Sequence, residues 1–204
     1  MRKALIALGL SSLVIFGRAA CNHKDKKDEP KKNAGVRQEE SYYGSRFRAA
    51  CLAKDQTASS ATVVAVLKEL GILDGAQGAA DVSAEHCQAA VAKLPALTSL
   101  NLVGYDLESL APIVHFHKLV GLDLSENPRI RKDQLAVALR GLAKLRTLGL
   151  TNALGLSADD IAELAKQHRN LTRIVIEGSA RGSELQQRHS TNARGLALTV
   201  EIAG

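Results

Sequence analysis

One spacing of aliphatic residues recurs along the second half of the chain and limits the folds open to it. In each unit, an apolar residue is followed three and five positions later by two more, and successive units start 22, 26, 26 and 26 residues apart. The last two residues of a unit point to one face of a β-strand, because side chains alternate along a strand. Five strands in one register, each followed by a return segment, predict an α/β fold with a parallel sheet. The units are Leu97-x-x-Leu100-x-Leu102, Leu119-x-x-Leu122-x-Leu124, Leu145-x-x-Leu148-x-Leu150, Leu171-x-x-Ile174-x-Ile176 and Ala197-x-x-Val200-x-Ile202.

The segments between the units carry helix signals. Asp133 precedes a pattern of apolar residues with helical spacing, and Ser157 with Asp160 resembles a capping box. We therefore expect helices to return the chain from one strand to the next.

The repeat resembles the leucine-rich repeat family, whose motif LxxLxLxxN is most complete in LVGLDLSENP, with Asn127 in the asparagine position. Tyr105, Ala153 and Ser179 stand in that position in other units. The 26-residue units resemble the ribonuclease-inhibitor-like class, and the shorter first unit resembles the internalin-like class. The resemblance covers residues 95–204. It implies a solenoid with a parallel sheet on its concave side and helices or loops on its convex side.

Residues 45–94 are predicted to form an N-terminal helical cap. Thr57 to Leu70 and Ser83 to Leu94 read as helices, and such a cap covers the first strand, whose open edge and leucine layer would otherwise face water. Cys51 and Cys87 form an even pair once Cys21 is set aside, and an exported protein favours a disulfide between them. Two buried thiols are the alternative.

The first residues predict export. Met1-Arg2-Lys3 followed by 14 uncharged residues is typical of a signal peptide, here residues 1–20. Ala19-Ala20-Cys21 resembles the end of a bacterial lipobox, which implies lipidation of Cys21, although Arg18 stands where such boxes usually carry an apolar residue. Asn22 then favours an outer-membrane lipoprotein facing the periplasm or the surface. Cleavage after Ala19 would instead give a secreted or soluble periplasmic protein.

The charge distribution argues against nucleic-acid binding. Residues 1–48 hold 11 of the 27 Lys and Arg and 5 of the 21 Asp and Glu, so residues 49–204 hold 16 of each. The excess basic charge belongs to the leader and to residues 21–44, which are predicted to be a flexible charged linker. A folded nucleic-acid domain would carry that excess itself.

The outward positions of the strands are predicted to bind a protein partner. They are mostly small and polar and include no aromatic residue. This favours a non-catalytic binding or scaffold protein of the cell envelope, expected to be a monomer with no cofactor. The candidate residues are Asn101, Asp123, Ser125, Thr147, Thr151, Arg173, Glu177 and Glu201.

An enzyme is the competing class. His115-Phe116-His117 could place two imidazoles on one side of an extended segment, as a metal site requires. The alternative function is therefore a metal-dependent enzyme or metal-binding protein that uses His115 and His117. We expect no catalytic activity, because the sequence contains no phosphate-binding glycine loop, GxSxG or HExxH motif.

Overall fold

The structure, a computed structural model, describes residues 32–53, 57–177, 180–187, 194–195 and 199–203. The predicted signal peptide, Cys21 and residues 22–31 of the predicted linker lie outside these residues. The described residues form one five-stranded parallel sheet and six α-helices, which confirms the predicted α/β class. No helix among them is both long enough and apolar enough to cross a membrane.

The strands follow the predicted repeat and lie side by side in chain order. Their central residues pair in register, Leu100 with Leu122, Leu122 with Leu148, Leu148 with Ile174, and Ile174 with Val200. The repeated spacing along the chain thus becomes one row of aliphatic side chains across the sheet. The strands are β1 (Ser99–Asn101), β2 (Gly121–Asp123), β3 (Thr147–Gly149), β4 (Arg173–Glu177) and β5 (Thr199–Ala203).

The helices begin where polar residues can satisfy free backbone N–H groups. The Ser83 side chain accepts a hydrogen bond from His86 N–H at the start of α3, and Ser157 accepts one from Asp160 N–H at the start of α5, as predicted. A short 3-10 helix, Ala111–His115, takes the place of an α-helix between β1 and β2. The α-helices are α1 (Lys32–Leu52), α2 (Thr57–Glu69), α3 (Ala84–Lys93), α4 (Lys132–Gly141), α5 (Ala158–Gln167) and α6 (Ala180–Gln187).

The core lies between one face of the sheet and the helices. Leu100, Leu122, Leu148 and Ile174 are each at most 3% exposed, and the buried sides of α4 and α5 pack in the same cluster. Burial of this aliphatic layer supplies the main stabilising contribution to the fold.

The first helix begins inside the segment predicted as a linker. Residues 32–44 are helical, and α1 continues without interruption into the predicted cap. Two contacts fix its C-terminal half. Gly44 lets α1 approach α3 closely, since a Cβ there would lie 2.7 Å from Val91 Cγ1, and Phe47 packs against Phe116 with ring centroids 5.3 Å apart. Residues 32–44 of the predicted linker are therefore helical, and these two contacts hold the C-terminal half of the helix.

Candidate functional site: the open face of the sheet

The face of the sheet opposite the core carries the outward side chains of all five strands. Ser99, Asn101, Arg173 and Thr199 are exposed on it. A second group on this face is half-buried and consists of Gly121, Asp123, Thr147, Val175 and Glu201. We call this surface the open face.

An open face is unusual for a parallel sheet. Such sheets almost always have helices on both sides, because the connections between their strands pass over both faces. Here the buried residues of α4 and α5 and the inward strand residues belong to one cluster on one side. The sequence agrees with this, because the outward positions, Val175 excepted, are small or polar and do not form the aliphatic surface that a covering helix would require.

Three of the predicted binding residues use their side chains to hold the backbone where strands end. Asn101 Oδ1 accepts a hydrogen bond from Val103 N–H at 3.1 Å, and Asp123 Oδ1 accepts one from Ser125 N–H at 2.9 Å. Ser125 Oγ accepts a hydrogen bond from Thr151 N–H at 3.1 Å, and Ser125 is 8% exposed. Asn101 and Asp123 remain accessible, whereas Ser125 serves mainly to connect the turns after β2 and β3.

The Asp123 carboxylate lies over Gly149 of the neighbouring strand. A Cβ at Gly149 would lie 2.3 Å from Asp123 Oδ1, so any side chain there would displace the carboxylate. The absence of a side chain at Gly149 therefore keeps Asp123 in the position that bonds to Ser125. The Asp123 carboxylate therefore covers Gly149, which is buried, and forms the surface of the middle of the open face.

The C-terminal strands provide the charged part of the open face. Arg173 on β4 forms an ion pair with Glu201 on β5, and both side chains are about half exposed. Thr147 and Thr151 are half-buried beside them. For Glu177 the structure describes the backbone within β4, and its side chain lies outside the described part.

The structure places His115 and His117 outside the open face. His115 ends the 3-10 helix and His117 lies in the turn that follows, so the expectation of an extended segment is wrong. Burial lowers the pKa of His115, and the nearby Arg46 lowers it further. His117 stacks on Tyr43 with ring centroids 4.2 Å apart, and its buried Nδ1 has no hydrogen-bond partner among the described residues.

A metal site at these two histidines would need further ligands. Among the described residues, no group of three His, Cys, Asp or Glu side chains is arranged to hold a metal ion. Two surface grooves of about 640 and 650 Å³ lie elsewhere, one lined by Glu108, Arg129 and Gln134 and the other beside Cys51 and Val82. Neither groove belongs to the open face.

Cys51 and Cys87 lie at disulfide-bonding distance. Their Cα atoms are 5.8 Å apart, which suits a disulfide, and both residues are buried. The pair connects the C-terminal end of α1 to α3 and therefore fixes α1 against the rest of the cap.

Sequence reasoning missed His168, which is 7% exposed. Its Nδ1 accepts hydrogen bonds from the N–H groups of Asn170 and Leu171, at 3.3 and 3.1 Å, so Nε2 bears the proton and donates to the Leu142 carbonyl at 3.0 Å. Burial lowers the pKa of His168, which keeps the ring neutral in this role. It is the residue directly after α5, and this position gave no signal of such a contact.

Comparison of the chain with protein-family models, with curated proteins and with solved structures found no match.

Proposed function

We propose that the chain is a leucine-rich repeat solenoid of the bacterial cell envelope that binds a protein partner on its open face and carries out no catalysis. The observation behind the proposal is a parallel sheet in chain order that has α4 and α5 packed on one face, while the outward side chains of the described strand residues on the other face are exposed or half-buried. That arrangement curves the sheet and makes its uncovered side the concave surface in proteins with such repeats.

The size and chemistry of the open face suit a protein segment. Five strands at about 4.8 Å spacing span roughly 20 Å, enough for an extended peptide or one edge of a small domain. Hydroxyl and carboxylate groups at Thr147, Asp123 and Ser99 can form hydrogen bonds with a partner backbone. Arg173 and Glu201 add charges to the face, and added salt should weaken their contribution to recognition.

Anchoring of the chain to the membrane through Cys21 is the second part of the proposal. It rests on the Ala19-Ala20-Cys21 sequence that follows the apolar leader. A lipid on Cys21 would keep the open face close to the envelope, where partners bound to the membrane or cell wall are concentrated.

Site-specific photo-cross-linking in the intact cell tests the binding face. A photoreactive amino acid replaces Thr147 or Thr199 on the open face, or Val137, which is exposed on α4 and serves as the control. We expect the two face positions to cross-link to the same protein and the control to give no such product.

A partner found in this way allows a quantitative test. Substituting Arg173→Ala is expected to lower affinity about twofold to fivefold, in line with a half-exposed ion pair, and Arg131→Ala, at the N-cap of α4 and outside the open face, should leave it unchanged. Cross-links from Val137 alone, or affinity that depends on Arg131 and not on Arg173, would show that the partner binds elsewhere.

A further inference from the structure

Charges are sorted between the two edges of the sheet. In a parallel sheet all strands begin at one edge, which we call the entry edge, and end at the other, the exit edge. The segments that lead into β1 to β4 are residues 93–98, 115–120, 140–146 and 166–172, and they contain no Asp or Glu. Their basic residues are Lys93, Lys118, Arg140, Lys144, Arg146, Lys166 and Arg169.

The exit edge has the opposite character. The segments that leave β1 to β3 are residues 102–109, 124–133 and 150–160. Two of their basic residues are neutralised, since Arg129 pairs with Asp106 and Glu108, and Lys132 pairs with Asp160 and Glu163. The acidic residues of these segments are Asp106, Glu108, Glu126, Asp133, Asp159 and Asp160.

Helix dipoles explain only part of this sorting. Lys93, Arg140 and Lys166 lie in the last turns of α3, α4 and α5, where a positive charge stabilises the carbonyl end of a helix. Lys144 and Arg169 lie beyond the helices, where the dipole effect has fallen off. Their positive charge calls for another explanation.

Lys144, Arg146 and Arg169 form one patch because two loops are tied together. Asn170 Nδ2 donates a hydrogen bond to the Ala143 carbonyl, and His168 bonds to the Leu142 carbonyl. The three patch residues are exposed, and none takes part in an ion pair in the part of the chain that the structure describes. Three exposed positive charges on two adjoining loops, with no ion-pair partner among the described residues, attract anions.

The first helix reaches the domain from the same edge. Cys51, near the end of α1, is at bonding distance from Cys87, near the start of α3. Gly44, earlier in α1, packs against Val91, near the end of α3, so the two helices run antiparallel. Because α3 leads into β1, the N-terminal half of α1 lies at the entry edge. The stack of Tyr43 on His117 agrees with this, since His117 belongs to the segment that leads into β2.

We propose that the patch formed by Lys144, Arg146 and Arg169 docks the folded domain on the anionic phospholipid surface of the membrane to which the chain is anchored. The choice of a membrane rests on the proposed lipid at Cys21, which precedes Lys32 by 11 residues, about 40 Å at full extension. The anchor and α1 bring the entry edge, with its basic patch, toward the headgroups. The acidic exit edge then faces away from the membrane.

Vesicle cosedimentation tests the docking without the lipid. The exported chain bearing Cys21→Ala is mixed with vesicles of 30% phosphatidylglycerol in phosphatidylcholine, or of phosphatidylcholine alone. We expect partitioning onto the anionic vesicles only, weakening as salt rises. Lys144→Gln with Arg169→Gln should lower the partition coefficient about 25-fold, from about fivefold per basic residue near an anionic surface.

A control variant that loses the same number of positive charges elsewhere separates the effect of their position from the effect of net charge. Arg129→Gln with Arg131→Gln removes two positive charges at the exit edge, and its partitioning should stay at or near that of the parent chain. Equal losses in both variants, or no binding to anionic vesicles at all, would overturn the proposal. So would binding of a 20-base-pair DNA duplex through Lys144 and Arg169 in the absence of vesicle binding.

The proposed anchor is assayed separately, by the mass of the N-terminal peptide. If the chain carries no lipid but binds the vesicles, the proposed anchor is wrong and the docking through the patch stands. If the chain is lipidated but does not bind the vesicles, the anchor stands and the docking is wrong.

Discussion

Replacement of Asn127 with Ala is expected to destabilise the protein more than any exposed polar substitution on the sheet. The side chain is fully buried and joins the turns that follow β1 and β2. Its Oδ1 accepts a hydrogen bond from Leu107 N–H at 2.9 Å. Its Nδ2 lies 2.7 Å from the Leu102 carbonyl, 3.0 Å from that of Leu124 and 2.9 Å from that of Ser125.

The expected cost follows from the groups left behind. Alanine would leave the Leu107 N–H without its acceptor and would take a donor from three carbonyls that share the two amide protons. A buried polar group deprived of its partner costs about 1–3 kcal/mol, and two such groups together give about 2–6 kcal/mol. For a domain of this size that is a fall in melting temperature of roughly 4–24 °C.

Urea denaturation of the Asn127→Ala and Asn101→Ala variants gives the comparison. Asn101 is exposed and makes one side-chain bond, to Val103 N–H, so its loss should cost under about 1 kcal/mol. The two variants make the same chemical change at buried and exposed sites. Equal stabilities would refute the argument that the buried amide holds the two turns together.

Three further outcomes are expected. Replacing both Cys51 and Cys87 with Ala should lower the free energy of unfolding by on the order of 4 kcal/mol, because the pair would close a loop across a separation of 36 residues. Non-reducing peptide mapping should show the linked pair, and free thiols at both positions would contradict this. After a high-salt wash, which weakens docking through the basic patch, the Cys21→Ala chain should be in the soluble fraction, and retention on the membrane under that wash equal to that of the parent chain would argue against lipidation. Burial lowers the pKa of His168 below its usual 6.5, so protonation favours the unfolded chain. Stability should therefore fall as the pH drops below about 6.5, and a slope that is no shallower in His168→Gln would assign the effect to other groups.

The positions of the strands could be predicted because one physical requirement fixes them. Each strand needs an inward residue in register with its neighbours, and Leu100, Leu122 and Leu148 satisfy it at a constant place in the repeat. The helix starts at Ser83 and Ser157 were predictable for the same reason, since a free N–H requires a nearby acceptor. Local rules of this kind act within a few residues and are visible in the sequence.

The start of α1 and the roles of the polar strand residues depend on contacts between distant parts of the chain. Gly44 and Tyr43 are poor helix signals and acquire their meaning from Val91 and His117, which lie 47 and 74 residues further on. Ser125 appeared available for binding, yet its hydroxyl serves Thr151 N–H one repeat away. Sequence alone shows that a side chain is polar and does not show which backbone group it will satisfy.

The charge distribution also depends on the fold, and the topology shows what a sum of charges along the chain does not. Residues 49–204 hold 16 basic and 16 acidic residues, and this balance argued against an anionic partner as long as charges were summed along the chain. A parallel sheet groups residues by their place within the repeat, because every strand starts at the same edge. Sorted in that way, the segments that lead into β1 to β4 hold seven basic and no acidic residues, and the segments that leave β1 to β3 hold six acidic and three basic residues. A neutral domain can therefore present a surface of one sign to an anionic partner, and net charge alone does not exclude such a partner for this chain.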